Sequence, residues 1–280
     1  MNKLISVDFY ADFGFLKKPD TNNPMYFSFN MLHKPALLGI LGAIIGEKGF
    51  YDDDKLLKSQ GKGKNATSAY ERGNKPDYYA KLEHLKIGIQ PLRSNKGIFI
   101  KDTVQYNNGT GLASEEIGGN LIVKEQFIIE PGYRCYLSLD TTKETDSKLY
   151  DYLKNSWAEY LPYFGKNDFS LWWETFQEYD AQPIDFELNK GFVISTIFIK
   201  ETPVKEGKQR MPRLSVYGKL DNEKFMYFEN LPIDYDTDLW QYRYEAFAFT
   251  NFSMKADYEV NDLFNVKSLV SDEKHVIQLF

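Results

Sequence analysis

Lys17 and Lys18, His33 and Lys34, Lys62 and Lys64, Arg93, Lys101 and the run Tyr106-Asn107-Asn108 are the residues whose types suit a phosphodiester ligand. Cations hold phosphates, rings stack on bases and carboxamides meet base edges, and single-stranded nucleic acid needs all three. His33 and Lys34 directly precede Pro35. Proline suits the first position of a helix, where free backbone N–H groups and the helix dipole attract anions. This helix start is therefore expected to face phosphate. Arg93 and Lys101 stand near the base of a predicted hairpin, with Tyr106, Asn107 and Asn108 towards its polar, glycine-rich tip.

Other chemistries fit less well. Gly39, Gly42 and Gly46 lie within the helical stretch rather than in a turn before it, so they do not form a dinucleotide loop, and Lys62-Gly63-Lys64-Asn65 lacks the phosphate-loop frame. Asp234, Asp236, Asp238 and Glu245 match positions 1, 3, 5 and 12 of a calcium loop, but Leu239 occupies the position that requires glycine. His33, His84 and His275 show no ligand spacing, and the single Cys135 leaves no internal disulfide or cysteine-rich metal site. No cofactor and no metal are expected.

The elements that must position these residues read as α+β. Lys3–Tyr10 is a β-rich run, Pro35–Gly46 an apolar helix closed by glycine, and Lys86–Leu92 a strand. A hairpin is predicted over 98–123, a strand over Tyr133–Leu139, a helix over Thr145–Tyr160 and a last strand over Leu171–Phe176. That order is β-α-β-β-α-β, a ferredoxin-like (RRM-like) unit with a protruding β-hairpin thumb. The expected organisation is a ferredoxin-like domain over 1–180, with an irregular insertion over 47–85, and a mostly β subdomain over 181–280. Gly39 and Gly42 predict close approach of the helix to another backbone.

The 280 residues carry 21 Phe, 20 Tyr and 4 Trp, a ring content that suits strand-rich cores and stacking surfaces. The net charge of −6 conceals an asymmetry. Lys55–Lys101 holds 11 Lys/Arg against 3 acids, whereas Asp221–Phe280 holds 5 against 12. Local rather than global potential governs phosphate binding, so one face on nucleic acid and an acidic face on protein are expected. The longest apolar run, Pro35–Gly46, is too short to span a bilayer, and no secretory signal precedes it, so a cytoplasmic protein with no membrane contact is expected.

Four segments together carry a resemblance. FGFLKKPDTNNPMYFSF (Phe13–Phe29), HKPALLGILGAIIG (His33–Gly46), LIVKEQFIIEPGYRCYLSL (Leu121–Leu139) and YFGKNDF (Tyr163–Phe169) resemble the CRISPR-associated Cas-five proteins, with subtype I-B the nearest in flavour. The likeness spans roughly Leu4–Phe169. It implies a RAMP-type subunit of Cascade, the type I RNA-guided surveillance complex. Such a subunit grips the 5′ handle of the CRISPR RNA (crRNA) and caps the backbone filament. Its partners are the backbone and large subunits, and it meets target DNA only indirectly. The resemblance implies no catalysis. The processing branch of the family uses a Tyr with a Lys-His pair beside the thumb, and Lys101–Lys124 contains no histidine. The alternatives are an endoribonuclease that processes precursor crRNA and a β-rich binder of a glycan or small molecule.

Overall fold

The computed structural model describes residues 2–19, 25–49, 75–108, 121–184, 191–200, 204–205, 208–209, 212–219, 221–255, 258, 260–271 and 273–280. Lys62, Lys64 and the hairpin tip lie outside the described residues.

Ten consecutive residues with apolar groups on both faces make β1 (Asn2–Ala11) a central strand. Ile5, Val7 and Phe9 enter one core, while Leu4 enters another on the opposite face. There follow β2 (Phe13–Gly14), β3 (Met25–Tyr26), α1 (Lys34–Ile45), α2 (Asp77–Leu82), β4 (Lys86–Leu92), β5 (Lys101–Asn108), β6 (Leu121–Ile129), β7 (Gly132–Asp140), α3 (Glu144–Asn155) and β8 (Leu171–Pro183). The remaining strands are β9 (Phe198–Ile199), β10 (Val204–Lys205), β11 (Lys208–Gln209), β12 (Val216–Tyr217), β13 (Met226–Asp236), β14 (Gln241–Thr250), β15 (Ser253–Met254), β16 (Leu263–Ser268) and β17 (Lys274–Gln278). The fold is α+β and dominated by sheet. Its main sheet runs β17-β16-β8-β1-β7-β4, and every adjacent pair is antiparallel. Leu37, Leu41 and Ile44 of α1 and Leu149 and Leu153 of α3 share one core with Ile5, Val7 and Phe9. Among the described residues no helix is long and apolar enough to cross a membrane.

The helix ends follow from local chemistry. His33 caps α1, and Gly46 closes it at φ 79°, in the left-handed region that glycine enters freely. The close approach predicted at Gly42 is to a side chain rather than a backbone, since a Cβ there would stand 2.5 Å from Cβ of Tyr78. Helix α3 is shorter than the predicted Thr145–Tyr160 and stops where Ser156 turns left-handed at φ 56°. The freed segment docks on α1 instead. Glu159 N–H donates to Ile44 O (2.9 Å) and Tyr160 N–H to Ala43 O (3.1 Å), satisfying carbonyls that a helix end leaves open.

The composition change after Asp180 does not mark a break in the sheet. β8 runs through it to Pro183, and β16 pairs with β8 from Phe264↔Pro183 to Ser268↔Tyr179. Ile197, Leu231 and Phe247 belong to the core of β1 and α1. The C-terminal residues also close the sheet. Phe280 and Ile87 exchange backbone hydrogen bonds (2.8 and 3.1 Å), which joins the segment after β17 to the outer edge of β4. Glycine is required at this seam, since a Cβ on Gly88 would lie 2.7 Å from the carbonyl oxygen of Gln278. Gly88→Val is therefore expected to cost about 2 kcal/mol through overpacking. Urea unfolding reads the cost; an unchanged midpoint would show that the seam has slack.

Candidate nucleic-acid interface

The β5–β6 ladder runs in register from Lys101↔Ile128 to Asn108↔Leu121. The other edge of β6 is held antiparallel by β2 (Phe13↔Ile129) and parallel by β3 (Met25↔Lys124). The described stem thus starts later and extends further than the predicted 98–123. Ile98 sits in a tight turn with Asn95 (Asn95 N–H to Ile98 O, 2.9 Å), and Val104, Tyr106 and Ile122 project exposed from the stem.

A cleft of about 460 Å³ opens beside the base of this hairpin. Its walls are Phe15, Leu16 and Lys17, the flank of α1 that carries His33, Pro35, Ala36, Gly39, Ile40 and Ala43, and the rings of Tyr78, Tyr163 and Tyr242. Gly165 brings the walls together. It adopts φ 82°, and a Cβ there would fall 1.9 Å from the carbonyl oxygen of Phe15, so only glycine lets this loop lie against the first segment. Phe15 N–H donates to Phe164 O (3.0 Å) across the contact.

The next residue, Lys166, ties the loop to the hairpin. Its ammonium pairs with Glu125 of β6 and donates to the Tyr106 hydroxyl of β5 (3.2 Å). It also lies 5.1 Å from the centre of the Tyr106 ring, within cation–π range. Burial alone would lower its pKa, but the hydrogen bonds it donates to Glu125 and Tyr106 outweigh that and raise it, so Lys166 is held charged. Glu125 is only 6% exposed and depends on this partner. Lys166→Met should cost about 2 kcal/mol, and adding Glu125→Gln should recover most of it. Thermal unfolding of the two single variants and the double variant checks this; additive losses would deny the coupling.

The residues singled out in the sequence divide three ways. Lys17 is exposed on the cleft rim, its ammonium 3.8 Å from the Tyr26 ring centre. Tyr106 and Asn107 are exposed on β5, and Asn108 continues that strand opposite Leu121. Lys18 and Lys101 lie close by with protein partners. Lys18 pairs with Glu229 (3.4 Å), and Lys101 donates to Ser28 O (3.1 Å), its pKa lowered by burial. Lys34 and Arg93 face elsewhere. Lys34 lines a separate cleft with Tyr79, Asp234 and Arg243 and donates to Phe280 O (3.2 Å), and burial lowers its pKa to about 8. The guanidinium of Arg93 lies 4.1 Å from the ring centre of Tyr10.

The helix start does not offer the free N–H groups the sequence suggests. Proline has none at position 35, His33 Nδ1 accepts from Ala36 N (3.4 Å), and His33 O accepts from Leu37 N (3.0 Å). The buried His33 ring is a cap, and burial drives its pKa down to about 3, so it is neutral at ordinary pH. Asp234 and Asp236 are also locally employed. Asp234 accepts from Tyr79 and pairs with Arg243, and Asp236 accepts from the N–H groups of Asp238 and Leu239. No cluster of metal-binding side chains occurs among the described residues. Lys166, Tyr163 and Tyr242 are site residues that the sequence reading did not select; the Gly165-Lys166-Asn167 triplet was the available signal for the first two.

These features define a sheet-dominated α+β chain with a hairpin rooted beside an aromatic cleft. No family model and no curated protein matches the sequence. Solved structures similar to it include a CRISPR protein from Archaeoglobus fulgidus, at 12% identity over 99% of each chain and a TM-score of 0.45. A chain of a CRISPR RNA-guided surveillance complex is 10% identical over 91% of each chain, with a TM-score of 0.41. A Cas protein is 10% identical over 91% of this chain and 96% of its own, with a TM-score of 0.36.

Proposed function

We propose that this chain is a CRISPR-associated, guide-RNA-binding subunit of a type I Cascade that holds the 5′ handle of the crRNA and performs no cleavage. One observation carries the reading. Two of the segments that resemble the Cas-five proteins are neighbours in sequence and a third lies far downstream, yet Phe15 and Lys17 of the first, His33, Gly39 and Ala43 of the second and Tyr163 and Gly165 of the third line one cleft. The fourth segment supplies Glu125, which Lys166 joins to that cleft. The order β1-α1-β4-β7-α3-β8 and the sheet order β8-β1-β7-β4 support a ferredoxin-like core, with β5–β6 as the thumb.

A non-catalytic role agrees with the site's titratable groups. General acid–base cleavage needs a group poised near neutral pH. His33 is buried, neutral and engaged as a cap, and Lys166 is held protonated by Glu125. Backbone and large subunits are the proposed partners, with the acidic β13–β14 hairpin facing protein. Replacing residues 105–116 with a short Gly-Ser turn should leave the fold intact and abolish retention of crRNA. Co-purified RNA measured by length and absorbance reads this; undiminished retention would remove the thumb from the site. Metal-independent cutting of repeat RNA by the intact chain would overturn the non-catalytic reading.

A further inference from the structure

The cleft beside α1 is built for a base rather than for a phosphate. Lys17, on its rim, is the only charged side chain among the described residues that line it, and no carboxylate does so. Pro35, Gly39 and Ala43 give one wall small side chains, and Tyr163 and Tyr242 supply rings. A volume of about 460 Å³ lies towards the small end of ligand pockets, which span about 300–1,000 Å³, and suits one nucleotide. Since Nδ1 of His33 is taken by Ala36 N–H, the proton of the neutral ring sits on Nε2, the one polar group the ring has left for a ligand.

We propose that this cleft receives a single unpaired nucleobase of bound RNA, stacked against the tyrosine rings, with an acceptor on its edge meeting His33 Nε2–H and its phosphate at Lys17. The proposal rests on the RNA-binding reading above and adds to it a base slot separate from the hairpin. Because His33 stays neutral far below physiological pH, the same donor is presented across the working range.

The test compares two fluorescein-labelled 12-nucleotide RNAs by anisotropy with the full chain. One carries all four bases in mixed sequence, and the other is abasic with the same length and charge. The chain should bind the base-bearing RNA about tenfold more tightly, the scale of one base stacking on aromatic rings. Gly39→Leu projects into the cleft from a position where a Cβ meets only ordinary contacts with Tyr78, the nearest at 3.9 Å, and it should reduce binding of the base-bearing RNA to the abasic level. Tyr163→Ala, at an exposed position, should lower the preference several-fold and serves if Gly39→Leu fails to fold. Equal affinity of the unaltered chain for both RNAs would overturn the slot and leave RNA binding standing. Failure to bind either would overturn the RNA reading itself, and full preference retained in a folded variant would place the base elsewhere and overturn the slot.

Discussion

Gly165→Ala is expected to destabilise the chain by about 4 kcal/mol or more, the largest effect of any substitution considered. Two penalties act together. The residue sits at φ 82°, a region that side chains disfavour, and the added methyl would lie 1.9 Å from the Phe15 carbonyl oxygen and 2.8 Å from its carbon. Both obstructing atoms are backbone, so no rotamer change relieves the clash. The loop must retreat from β2 and the residues after it. Retreat breaks the hydrogen bond from Phe15 N–H to Phe164 O and draws Lys166 away from Glu125, leaving a buried carboxylate without its cation. Urea unfolding monitored by tryptophan fluorescence measures the loss; a change below about 1 kcal/mol would show that the two segments part easily.

His33 should make the fold sensitive to acid. Its ring titrates near 6.5 when unfolded and at about 3 when folded, because burial penalises the charged form. Between those values only the unfolded chain takes up the proton. The contribution of His33 is therefore complete above pH 6.5 and falls away as the pH drops towards 3. At pH 4.5 the loss is about 3 kcal/mol. His33→Asn keeps a capping acceptor for Ala36 N–H and removes the titration. The variant should lose much less stability than the parent between pH 7.5 and 4.5, measured by urea unfolding at each pH. Parallel pH profiles would show that the imidazole accepts its proton without leaving its place.

The main elements were legible because their signals are local. Alternation and β-branched residues mark β1, β4 and β7, and a proline and a glycine frame α1 within a residue of its ends. The stretch read as an irregular insertion over 47–85 contains one helix, α2, among its described residues. What escaped depends on distant partners. The acidic residues after Asp221 suggested a separate face, yet Glu229 accepts from the backbone N–H groups of Asn30 and Met31 and neutralises Lys18. His33 looked like an anion ligand because nothing in the sequence shows that its ring turns inward against Phe29 and Tyr242. Lys166 was not singled out within its segment, because its role depends on where β5 and β6 pass. Helix limits were missed where tertiary contacts took over, as at Ser156, where the chain leaves its helix to cap another.

The seam between Ile87 and Phe280 sets an order on the birth of the molecule. As the chain emerges during synthesis, β1 has no partner until β7 appears, and the far edge of β8 waits for β16. The outer edge of β4 is met first by Ile197, whose N–H donates to Ile89 O (2.7 Å), and is completed only when residue 280 reaches Ile87. Contacts this distant in sequence slow folding, because the chain must be ordered before they form. Until then β4 keeps part of an apolar edge uncovered, and such edges invite pairing with other nascent chains. Pro91, which withholds one amide from that edge, is a natural guard during the interval. Yield in cells should therefore respond more to translation rate and holding chaperones than the stability of the finished fold would suggest.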